Sequence, residues 1–130
     1  MRTAILLLVS TVAGCATPPV SDHQAAPSSY LQAAPGTGSV SFMRDSASRA
    51  SACSLVVLVD DVPSADLGVS ERVVLHLPAG DHALSVKERA SAQCRGVNAP
   101  RTQAHVTAGA FSGFQVGVLD SGITLTPAQF

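Results

Sequence analysis

The sequence has no tryptophan, one tyrosine and four phenylalanines among 130 residues, and charged residues make up only 13% of it. Eight Lys and Arg oppose nine Asp and Glu. A balance this even, with no basic stripe, excludes the electrostatic footprint of a nucleic-acid binder. It also leaves no polybasic run for an anionic lipid surface. Long hydrophobic runs are missing as well. The apolar stretch between Ala4 and Val12 is too short against the ~20 residues needed to cross a bilayer, and Pro18-Pro19 do not continue a helix behind it. No cysteine sits in a C-x-x-C pair, no serine in a G-x-S-x-G elbow, and no glycine-rich loop opens a helical stretch. A Ser–His–Asp set can be drawn only by chance co-occurrence. The chain is therefore expected to be non-catalytic, with no catalytic residue and no cofactor.

What is present begins at the N-terminus. Met1-Arg2-Thr3 gives a short positive region, and about ten mostly apolar residues follow, as in a secretory signal peptide. The segment ends in Val12-Ala13-Gly14-Cys15. This resembles the bacterial lipobox, in which a branched apolar residue and two small ones precede a cysteine that takes diacylglyceryl before cleavage. The resemblance implies residues 1–14 as signal peptide, Cys15 as the lipidation site, and the membrane as a partner through that lipid. Several acyl chains make a stable anchor, because each buried methylene adds about 0.8 kcal/mol. Ala16, where an Asp would signal retention in the inner membrane, implies an outer-membrane lipoprotein facing the periplasm. The alternative is an ordinary secretory signal with an incidental cysteine. Without residues 1–14, seven cations stand against nine carboxylates, a formal charge of −2 with histidine neutral.

Residues 15–38 read as the lipidated cysteine and a flexible linker, rich in Ala, Pro, Ser, Thr and Gly and without apolar period. Such a segment buries too little to offset its ordering entropy. Tyr30 and Leu31 are its only sizeable apolar groups after Val20. The Val, Leu, Ile and Phe residues then gather in one domain, residues 39–130. Short alternating segments are separated by turn residues, with no stretch of helical period. Val40 and Phe42 share a face; Val73, Leu75 and Leu77 oppose Arg72, Val74 and His76; Leu84 and Val86 go together. Ala104 and Val106, then Phe114, Val116 and Val118, then Ile123 and Leu125, complete the inward set. Residues 55–59 are apolar throughout, as in a central strand. The expectation is an all-β fold, a small antiparallel β-sandwich or barrel of seven to eight short strands with one disulfide. Pro78-Ala79-Gly80-Asp81 is expected to join residues 72–77 and 82–87 in an antiparallel hairpin. Residues 45–52 are expected to be loop.

Cys53 and Cys94 form an even pair in an exported domain. A disulfide is the economical reading, with a redox-active pair or a metal site as alternatives. Closing a loop of roughly 40 residues restricts the unfolded chain by about 4 kcal/mol at the upper end. His76 and His82 flank the Pro-Ala-Gly turn and are weak metal candidates, since a site needs three or four ligands; no metal is assigned. Arg44, Arg49, Arg89, Arg95 and Arg101 fall near the two cysteines and read as a solvated rim, with an anionic envelope polymer as the alternative.

The run Ser51-Ala52-Cys53, Leu55-Val56-Val57-Leu58-Val59-Asp60-Asp61, Ala65-Asp66-Leu67, Ser70-Glu71 and Leu75-His76-Leu77-Pro78-Ala79-Gly80-Asp81-His82 resembles a family of small bacterial envelope lipoproteins of unknown function. Cys94 and the closing Thr126-Pro127-Ala128-Gln129-Phe130 fit the same pattern, with Asp61 where that family has glycine. The strand–turn–strand order is also similar to PEGA-like surface modules. The resemblance implies a β-sandwich and the Cys53–Cys94 bridge, and no catalysis. Two functions stay open. One is a membrane-anchored, non-catalytic interaction or structural module that touches an envelope protein or the cell wall, but no nucleic acid. The other is a periplasmic ligand- or metal-binding protein or an enzyme inhibitor.

Overall fold

The computed structural model describes residues 29–46, 53–91, 94 and 96–130. A single 3-10 turn, Ser29–Leu31, precedes eight strands: β1 (Thr37–Arg44), β2 (Leu55–Val59), β3 (Val62–Leu67), β4 (Arg72–Pro78), β5 (Gly80–Glu88), β6 (Thr102–Val106), β7 (Phe111–Leu119) and β8 (Gly122–Ala128). They form two four-stranded sheets, β4-β1-β7-β8 and β3-β2-β5-β6. The fold is all-β, and Cys53 is bonded to Cys94.

Alternation of side chains explains the packing. Val40 and Phe42 of β1, Leu75 and Leu77 of β4, and Phe114, Val116 and Val118 of β7 point inward from the first sheet. Leu55, Val57 and Val59 of β2, Leu84 and Val86 of β5, and Val106 of β6 meet them from the second. Phe42 and Phe114 stack at 5.7 Å across the parallel β1–β7 pair. Leu75, Leu77, Leu84 and Val86 are each wholly removed from solvent, a burial worth about 1.5–3 kcal/mol per side chain. Tyr30, within the stretch read as linker, packs against this core.

Turn chemistry closes the hairpins. Asp60 and Asp61 carry φ of 51° and 67° between β2 and β3. Two positive φ values in a two-residue loop match the right-handed twist of the strands, and aspartate tolerates that region. Pro63 and Pro127 both fall on edge strands, where a missing N–H leaves no ladder bond unmade.

Two features depart from the expected pairing. β4 and β5 are not a hairpin: β4 pairs with β1 in the first sheet and β5 with β2 and β6 in the second. Their leucines face each other across the core, which a single hairpin would place on one face. Gly80, at φ +134°, turns the chain from one sheet to the other in a conformation that side-chain-bearing residues rarely adopt. The β1–β7 pair is parallel, so the first sheet is mixed rather than wholly antiparallel. Of the expected loop at residues 45–52, only residues 45 and 46 are among the described residues.

Candidate functional site

The residues singled out from sequence fall in separate places. Cys15, Arg49 and Arg95 lie outside the described residues. Cys53 and Cys94 are buried and bonded, with Cα atoms 5.9 Å apart. Beside them lies Glu88, inward on β5 in the phase of Leu84 and Val86. The donor atoms of Cys53, Cys94 and Glu88 lie within 4.8 Å of one another. Bonded sulfurs offer no thiolate to a metal, and the Arg44 cation acts on the same carboxylate.

Arg44 is not part of a solvated rim. It continues the inward phase of Val40 and Phe42 and is only 1% exposed. Its Nη1 donates to the carbonyl of Cys53 at 2.7 Å and to that of Leu67 at 3.4 Å. Burial lowers its pKa, while the charge of Glu88 pulls it back up. Arg44 thus ties β1, β3 and the disulfide segment together. The same two-residue period that places Phe42 inward carries this information in the sequence.

His76 and His82 belong to different sheets and have different partners. His76 Nδ1 lies 3.2 Å from Ser39 Oγ on the outer face of the first sheet. Among the described residues no carboxylate holds its other nitrogen, so this Ser–His pair lacks the third group that orients a catalytic base. His82 is clamped on both sides. Its Nδ1 donates to Asp60 Oδ2 at 2.7 Å and its Nε2 to the Pro78 carbonyl at 2.8 Å. Both partners are acceptors, so this geometry favours the doubly protonated ring. Burial alone would lower the His82 pKa; the hydrogen bonds to Asp60 and Pro78, with the charges of Asp60 and Asp81, outweigh it and raise it. The Asp60 pKa falls in return, through His82 and through the Ala83 N–H on Oδ1. This is a structural clamp holding the β2–β3 turn onto β5.

The arrangement that sequence reading missed lies on the outer face of the first sheet. The register puts Ser41 of β1, Gly113 of β7 and Ala128 of β8 side by side. Ser41 is an outward strand residue, yet it is 0% exposed. Two groups cover this spot. The Phe130 ring lies over Gly113, where a Cβ would come within 2.5 Å of it; only glycine admits the ring. Arg72 of β4 reaches across, its Nε donating to Ser41 Oγ at 2.8 Å. Its guanidinium carbon then sits 5.7 Å from the Phe111 ring centre and 5.5 Å from that of Phe130. Both distances are within cation–π range. Phe111 and Phe130 remain 50% exposed. The one trace of this in the sequence is the outward phase of Arg72.

Beyond the rings, a groove of about 620 Å³ runs between the β6 edge and the ends of β7 and β8. Phe111 and Phe130 line it, with residues 102–105 opposite. The groove is open to solvent, and Arg72 lies outside its lining. Arg72 is the sole arginine or lysine at an outward strand position of this sheet, and no Asp or Glu occupies such a position. Chemically, the site offers a pinned guanidinium whose Nη groups have no partner among the described residues, two aromatic surfaces and an adjoining trough.

No family model, no curated protein and no solved structure matches the chain.

Proposed function

We propose that the protein is an envelope lipoprotein anchored through Cys15, and that its domain is a non-catalytic module that binds a partner with the outer face of the first sheet. The observation that carries the binding half is the Arg72–Phe111–Phe130 cluster. Phenylalanine and arginine are enriched at protein interfaces, and here the outward strand positions around them carry no acid. The anchoring half is supported by the Val12-Ala13-Gly14-Cys15 sequence, and the outer membrane is the address that Ala16 favours. The likeness to small envelope lipoproteins with PEGA-like sandwiches fits the same reading.

Two readouts test it together. Cells fed an alkyne fatty acid should label the wild-type chain and leave Cys15→Ser unlabelled. A pull-down of the lipidated protein from solubilised envelopes should recover a reproducible partner that Arg72→Gln loses. Equal labelling of Cys15→Ser would overturn the anchor. A partner set unchanged by Arg72→Gln would overturn the binding face.

A further inference from the structure

We propose that the Arg72 cluster reads the free C-terminal carboxylate of a short peptide lying in the groove between β6 and β8, an inference that rests on the binding-module reading above. Four observations carry it. First, the guanidinium is already positioned: Nε is bonded to Ser41 and the side chain rests against two rings. That leaves both Nη groups for a planar bidentate acceptor, the geometry of a carboxylate.

Second, the charge count fits one monovalent anion. Arg72 is the single fixed cation at the outward strand positions of this sheet; a dianionic phosphate would be left half neutralised. Third, the groove reaches the two rings against which the guanidinium rests, Phe111 and Phe130, although Arg72 itself does not line it. A peptide ending at Arg72 would lay its last side chain on those rings. Fourth, the groove is bounded by open backbone. Among the described residues β6 pairs only with β5, and β8 only with β7, which leaves each an edge that an extended peptide can join.

The test uses the full lipidated chain in phosphatidylcholine nanodiscs and calorimetry. The probes are a library of acetylated tetrapeptides with free C-termini, the same library as C-terminal amides, inorganic phosphate, and phosphatidylglycerol vesicles. The free acids should bind, and the amides should bind about tenfold or more weakly. Arg72→Gln should abolish the difference. Arg72→Lys should lose most of it, because an ammonium cannot make the planar fork. Ser41→Ala keeps the charge but frees Nε, and should weaken the acids several-fold; it guards against a folding defect in the Arg72 variants. Equal binding of acids and amides, or affinity unchanged in Arg72→Gln, overturns the proposal. So does binding of phosphate or of phosphatidylglycerol vesicles in place of the acids. If the peptides fail while the envelope partner is still lost with Arg72→Gln, the ligand class is wrong and the module stands. If that partner is also insensitive to Arg72, the module reading falls with it.

Discussion

The two sheets share one core but present opposite chemistry to their surroundings. On the second sheet and its adjoining loops, three carboxylates are each held by a cationic or histidine side chain, and Lys87 of β5 adds a further outward charge. Arg89 holds Asp66 on β3, Arg101 holds Asp61, and His105 of β6 holds Asp81 of β5. On the first sheet the outward strand positions carry no Asp or Glu, and Arg72 is their one Arg or Lys. Exposed ion pairs contribute about 0–1 kcal/mol each and keep a face soluble without committing it to contact. An arginine set against aromatic rings with its Nη groups uncommitted does the reverse. On the function proposed above, the difference separates a solvated face from the one that meets a partner.

Substitutions can break or sharpen that contrast. The largest effect is expected beneath both faces. Arg44→Ala leaves Glu88 buried without its cation and frees the Cys53 and Leu67 carbonyls. It should cost about 3–5 kcal/mol in denaturant unfolding, and a loss under 1 kcal/mol would show that Arg44 does not tie the sheets. Next comes Gly113→Val, which has no room beneath the Phe130 ring. It should cost about 1–2 kcal/mol by ejecting that ring and should remove the envelope partner in the pull-down. Retained partner binding would break the contrast.

A smaller effect belongs to the second sheet's clamp. The His82 pKa is raised above 6.5, so its contribution is complete below about that pH and is lost as pH rises through the raised value. The Asp60 pKa is lowered from 3.8, so its contribution is present above that pH and is lost as pH falls through the lowered value. Wild type should therefore lead His82→Gln in melting temperature between about pH 4 and 6.5 and lose that lead at higher pH. Parallel curves would deny the doubly protonated clamp. Smallest of all is Arg89→Ala. The pair it breaks, at 2.5 Å, has both side chains more than a third exposed. It should change stability by no more than about 0.5 kcal/mol and leave partner binding intact.

Much of the architecture is legible in the sequence because a strand's period of two is. The inward residues of β1, β4, β5, β7 and β8 follow directly from alternation, and the even pair Cys53 and Cys94 suggests the disulfide that the structure has. Alternation says which side of a strand is wet, but not which strand lies beside it. That is why β4 and β5 read as a hairpin when Gly80 sends them to different sheets, and why the parallel β1–β7 pair leaves no local mark. The candidate site was illegible for a related reason. Arg72, Ser41, Gly113 and Phe130 come from four separate segments and meet only through register. Arg44 was legible in principle, and its charge masked an inward phase shared with Val40 and Phe42.

The most direct test places a photo-crosslinking residue on each face of the full-length protein in intact cells, at Gln115 on the first sheet and at Ser85 on the second. The account predicts a reproducible adduct from position 115 that disappears when Arg72→Gln is added, and none from position 85. An adduct from position 85 alone, or one from position 115 indifferent to Arg72, would contradict it.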